Sequence, residues 1–186
     1  MLYRNTQGIV AMAQELLPQW MGLTDESITC YIRQLATEQL LKSPIYDFLL
    51  SNVTIKSATK GIVRAKLRLT RNHVNSDGKL HSSVSTAFVV WAGTLAIGTW
   101  NMSCRTSNAT DIHVNYGSPA EEGDEVGILG RAENVNGLLA FTWVTIFKLE
   151  NGNPIRVIAR GTHTKRVMAN RILHEAFRTT KAKFAN

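Results

Sequence analysis

The 186-residue chain is sparing with several residue types, and each scarcity excludes something. It holds two cysteines, Cys30 and Cys104, too few for a disulfide framework and without metal-ligand spacing. Two partly buried thiols suit a reducing compartment, and no metal is expected. Charged residues make up 19% and apolar residues 44%, an ordinary soluble globular balance. No low-complexity tract, internal repeat or linker interrupts the chain, so one domain is expected. No stretch reads as a transmembrane helix. The run 82–100 has about the right length, but it carries Ser82, Ser83, Ser85, Thr86, Thr94 and Thr99. Residues 1–23 lack the continuous apolar core of a secretory signal, and arginine is too scarce there to support a mitochondrial presequence well. The glycosylation-type patterns at Asn52, Asn101 and Asn108 therefore carry no meaning. The expected location is intracellular, cytoplasmic or mitochondrial.

Positive charge is present but uneven. From Lys165 to the C-terminus there are six basic residues and one acid, which is +5 of the net +7. A local basic tail argues for nucleic acid more weakly than a basic face does, so nucleic acid is not an expected partner. A phosphate-bearing ligand, an acidic partner or solubility would explain it equally.

One stretch organises the rest: Leu80 to Trp100, uncharged from Ser82 onward. Val84, Phe88, Trp91 and Leu95 recur at helical spacing. Val89, Val90, Ala96 and Ile97 make the opposite face apolar too, and a helix apolar all round is normally buried all round. At ~1.5 Å per residue it is roughly 28 Å long, about the diameter of a small domain.

Around it the sequence predicts short elements. A helix begins after Thr24, carrying Ile28, Tyr31, Leu35, Leu40 and Leu41, and stops before Ser43-Pro44. Pro44 opens a second short helix. Strands at 52–58 and 62–69 form a hairpin about Gly61. A polar loop from Arg71 to Lys79, with Asn75-Ser76-Asp77-Gly78 as turn chemistry, leads into the central helix. Strands follow at 109–116, 125–134, 138–149 and 155–164, with Asn136-Gly137 and Asn151-Gly152 as hairpin turns. A helix is expected from Met168 on.

This order, and several strings within it, resembles one family. The strings are Asn75 with His81, then Val89-Val90-Trp91-Ala92-Gly93. They continue with Asp111 through Tyr116 to Pro119, Leu139-Ala140-Phe141-Thr142, and Gly161-Thr162-His163-Thr164-Lys165. Together they resemble the hotdog-fold acyl-CoA thioesterases of the phenylacetate-degradation type, including the eukaryotic thioesterase-superfamily proteins. The resemblance implies an α+β hotdog fold, an antiparallel sheet wrapped around a long central helix. It implies an N-terminal helical extension (1–44), a hotdog domain (45–167) and a basic C-terminal tail (168–186). It implies an acyl-CoA or other thioester substrate, no cofactor beyond the coenzyme A of that substrate, and assembly as a homodimer or dimer of dimers.

The resemblance places catalysis at Asn75, His81, Ser82 and Ser83, where backbone N–H groups of the helix start meet the thioester carbonyl. The family has Gly-Gly where this chain has Ser82-Ser83. The family's carboxylate, a general base or nucleophile, falls nine residues after the histidine, at Val90, and its usual Ser or Thr before the next Asp is Ala109. His73 and Asp77 are candidates to replace the missing base, and exposed turn residues are the alternative. Val90 is also expected to wall an acyl chain. Arg131, His163, Thr164 and Lys165 are expected to meet the nucleotide phosphates of coenzyme A, with Arg160 and Arg166 as possible contributors and a solvated strand edge as the alternative. Two activities follow: thioester hydrolysis with a rearranged site, or a non-hydrolytic protein that binds acyl groups or CoA, serves as a structural subunit, or catalyses another step on acyl or polyketide-like substrates.

Overall fold

The computed structural model describes residues 24–100, 105–136 and 138–168. Residues 1–23, Cys104 and the segment 169–186, with its expected helix and most of the basic tail, lie outside them.

Helix α1 (Asp25–Lys42) starts where Thr24 accepts a hydrogen bond from the Ser27 N–H at 3.2 Å. Asp25 and Glu26 in its first turn and Lys42 in its last suit the helix dipole. Ser43 separates it from α2 (Pro44–Leu50), which has proline at its first position. A hairpin follows, β1 (Thr54–Thr59) and β2 (Ile62–Arg68), then a 3-10 turn at Arg71–His73. The central helix α3 spans Ser82–Gly98. Strands β3 (Arg105–Tyr116), β4 (Glu125–Asn136), β5 (Leu139–Glu150) and β6 (Asn153–Met168) complete the chain. Strands β3, β4 and β6 run beyond the lengths that alternation alone indicates, because ladder partners extend them, whereas β5 keeps its expected length. At the β5–β6 turn Asn151 and Gly152 both take positive φ, 52° and 80°, as a tight hairpin of matching twist requires.

The six strands form one antiparallel sheet in the order β1-β2-β4-β5-β6-β3. It wraps α3, whose Phe88, Trp91, Leu95 and Ile97 are fully buried. Each such side chain contributes about 1.5–3 kcal/mol of burial free energy. The helix lies close on the sheet because two strand positions facing it lack a side chain. A Cβ at Gly130 would stand 2.6 Å from the Ala92 carbonyl oxygen, and one at Gly161 would stand 2.7 Å from a Val89 methyl. Helix α1 joins the same core through Ile28, Ile32 and Ala36.

The expectation that α3 is buried on every side fails along one strip. Ser83 is exposed, and Thr86, Ala87, Val90 and Thr94 are half-buried. These residues share one face of the helix. The sheet covers the opposite side and α1 covers a flank, where Leu35 and Ile32 approach Gly98. A single sheet and one flanking helix leave the remaining face open. Among the described residues no helix is long and apolar enough to cross a membrane.

Candidate active site at the start of the central helix

The loop before α3 is held by its own polar groups. The Thr70 N–H donates to His73 Nδ1 at 2.8 Å, so the proton sits on Nε2, which donates to the Leu49 carbonyl at 2.8 Å. His73 is buried, with its ring edge-on to Phe88. Both ring nitrogens are engaged, so His73 organises the loop and is not placed to replace a base. Asn75 Oδ1 accepts from the Asp77 and Lys79 N–H groups, each at 3.0 Å. That assignment leaves the Asn75 amide nitrogen as the free end of the side chain. Asp77 is exposed at the loop tip.

His81 caps α3 with its own ring, Nδ1 accepting from the Ser83 N–H at 3.1 Å. Its outward Nε2 therefore carries the proton of the neutral ring. The next two amides, of Val84 and Ser85, turn back to the His81 carbonyl at 3.0 and 3.2 Å. The Ser82 N–H has no hydrogen-bond partner among the described residues. Ser82 and Ser83 both lie in the helix, and Asn151 is the one non-glycine residue with positive φ among those described. Serine is thus accommodated where the resemblance has glycine. Ser83 spends its N–H on the cap, so of the two serines Ser82 offers the free donor.

Asn75, His81, Ser82, Ser85, Tyr116 and Pro119 line a cleft of about 340 Å³. Tyr116 comes from the end of β3. Its hydroxyl lies 3.1 Å from Thr86 Oγ1 and donates to the Ser82 carbonyl at 3.4 Å. Sequence reasoning gave Tyr116 no role, although it stands in the quoted Asp-to-Pro string. At the rim Lys79 pairs with Glu121 and, by hydrogen bond and charge, holds that carboxyl below its usual range.

The remaining predicted residues are dispersed. Val90 lies nine residues along α3 from His81, about 13.5 Å at ~1.5 Å per residue, so the two cannot meet one carbonyl within a single protomer. Thr94 Oγ1 donates to the Val90 carbonyl at 2.7 Å and receives the Lys165 ammonium at 3.0 Å. Burial pushes the Lys165 pKa down. Ala109 pairs directly with Lys165 across β3 and β6, and Thr94 links the same lysine to the Val90 carbonyl. His163, two residues before Lys165 on the helix-facing side, is fully buried. Neither ring nitrogen has a partner among the described residues. Burial, then the charge of Lys165, pushes its pKa down to about 4. Arg131 and Thr164 do not join this pair. Gly130 and Ala132 face the helix, which sends Arg131 to the outer surface beside exposed Trp143. Thr164 alternates outward between His163 and Lys165, in line with Asp111 and Phe141. The sheet itself separates the four residues expected to share the CoA phosphates.

No family model matches the chain. Among curated proteins, human acyl-coenzyme A thioesterase 13 is 27% identical over 143 residues, which cover 75% of this chain and 96% of that protein. Among solved structures, zebrafish thioesterase superfamily member 2 superposes with a TM-score of 0.64 at 27% identity, over 78% of this chain and 99% of the other. A hypothetical thioesterase from Streptococcus pneumoniae, solved with coenzyme A, reaches a TM-score of 0.59 over 68% of this chain and 98% of its own. At 17% identity that likeness concerns the fold alone.

Proposed function

We propose, for a chain that is a hotdog-fold relative of the thioesterase superfamily, that it binds acyl-CoA-type thioesters in the cleft at the start of α3 and hydrolyses them to free acid and coenzyme A. One observation carries the reading: two unspent donors, the Asn75 amide nitrogen and the Ser82 N–H, border one cleft. A thioester carbonyl seated between them is polarised, and both donors strengthen their bonds as its oxygen becomes an oxyanion. The positive end of α3 adds to the same effect. His81 Nε2–H is a third donor at the mouth. No cofactor is needed beyond the coenzyme A of the substrate.

The site is completed by a second copy. Strand β3 is an open edge of 12 residues. On its helix-facing side Ile112 and Tyr116 are 40% and 56% exposed. Unpaired edges of this length are normally covered, and a homodimer, alone or paired again, would bring the open strip of one α3 towards the cleft of the other. The substrate class suits an intracellular enzyme, cytoplasmic or mitochondrial. The test is a panel of acyl-CoAs of increasing chain length, followed by release of free thiol. Turnover at one or more lengths that falls on Asn75→Asp is expected; no turnover at any length refutes hydrolysis. Val90 favours a second reading, a protein that holds the acyl group without hydrolysing it. Binding of acyl-CoA by calorimetry with no turnover would select that reading.

A further inference from the structure

The hydrogen bonds around the cleft assign a polarity to the nitrogens that Asn75, His81 and Ser82 bring to it. Asn75 has spent its acceptor oxygen on two loop amides and presents N–H groups. His81 has spent its acceptor nitrogen on the Ser83 amide and presents Nε2–H. Ser82 presents a backbone N–H. The strip of α3 that a second copy would bring to the cleft presents Ser83, Ala87, Val90 and Thr94. Thr94 is already bonded at both its hydrogen and its oxygen, the oxygen accepting from Lys165 Nζ. Among the described residues, such a site stabilises an oxyanion well and offers little to take a proton from an attacking water: the rim carboxylate, Glu121, is paired with Lys79 and held below its usual range. Water at neutral pH needs that help, commonly worth ~10²–10⁴ in rate. A thiol does not, because a few per cent is already thiolate at pH 7 and thiolate is intrinsically very nucleophilic.

We infer that the site's faster reaction is acyl transfer from coenzyme A to a second, small thiol, a thioester exchange. The inference rests on the carbonyl-binding reading above and changes the acceptor. The acceptor thiolate attacks the thioester carbon, and a new C–S bond forms. The oxyanion is held by the Asn75 amide and the Ser82 N–H. It collapses by breaking the bond to the CoA sulfur, which leaves as thiolate and takes from solvent the proton that the acceptor released. Nothing is oxidised or reduced, and no water is consumed. Val90 and Ala87 supply an apolar wall that favours the acyl chain and disfavours water on that side.

The test mixes the full chain with hexanoyl-CoA and millimolar N-acetylcysteamine, with a protein-free control. The exchanged thioester and free hexanoate are measured by mass spectrometry. Exchange is expected to exceed hydrolysis by about 10²-fold, the lower end of what a general base gives to water attack. Ser82→Pro, which deletes the free N–H, should lower exchange by about 10²-fold or more. Asn75→Asp keeps the loop acceptor, loses the donors and should do the same. Across acceptor thiols the rate should follow thiolate fraction as pH rises. Hexanoate without exchanged thioester overturns the inference and leaves hydrolysis standing. Neither product from a folded protein overturns both. Exchange that survives both substitutions in folded protein overturns the site assigned here.

Discussion

Ser82→Pro separates chemistry from folding unusually well. Ser82 is the first residue of α3, preceded by His81 as the cap. Proline is favoured at that position because the first N–H of a helix has no internal partner, and here Ser82's has none. The residue before a proline must be extended, and His81 already is, at φ −70° and ψ 137°. Stability should therefore be unchanged or rise, by about 0.4–1 kcal/mol, through the stiffer unfolded chain. For a chain of this size that is a rise of roughly 1–4 °C in Tm. Activity should fall by about 10²–10³, the loss seen when one oxyanion donor is removed. In a free-thiol assay kcat should drop with little change in KM, since the donor works mainly on the developing oxyanion. Ser82→Ala keeps the N–H and should retain most of the activity. A folded Ser82→Pro protein with undiminished kcat would show that the Ser82 amide does not meet the carbonyl.

The other predictions concern the rest of the molecule. Val90→Asp introduces a carboxylate on the open strip of α3; hydrolysis should rise by about 10²–10⁴, whereas Val90→Asn should give no gain. A folded Val90→Asp protein without that rise would show that the strip does not face the thioester. His163 has a folded pKa depressed from 6.5 to about 4, so its contribution to stability is present above pH 6.5 and is lost as pH falls towards 4. That loss is on the order of 3 kcal/mol, and denaturant titrations should show it shrink in His163→Leu. Gly161→Ala places a methyl group against Val89 and should cost about 1–3 kcal/mol, read as a lower melting temperature. Ile112→Lys puts a charge on the open edge; sedimentation should show association of the proposed dimer weakened by about tenfold or more, each factor of ten being about 1.4 kcal/mol, with the monomer still folded.

Much of the architecture was readable because it rests on local rules. The uncharged run from Ser82, the Ser43-Pro44 boundary and the Asn151-Gly152 turn each have a near-neighbour cause, and helices and strands formed close to where they were expected. Strand ends were less legible, since Arg105-Thr106 and Asn153-Pro154 are strand by virtue of their partners. The site was half legible. Asn75 and His81 stood out by their place in the motif. Which atoms remain unspent could not be read, because it depends on Asp77, Lys79 and Ser83 amides that only the folded loop brings to them. Tyr116 is 34 residues from Ser82, and no periodicity links them.

The sequence by itself determined the buried helix, the strands that wrap it and the residue types at its start, because hydrophobic period and turn chemistry act within a few positions. It also put a valine at position 90, where the family resemblance implies a carboxylate. The tertiary structure alone decided which face of α3 stays open and that Arg131 and His163 lie on opposite sides of the sheet, since one-residue alternation has no sign until a core chooses it. It also decided that the first free donor of the helix is the Ser82 amide, because hydrogen bonds are allotted between groups in space and not along the chain.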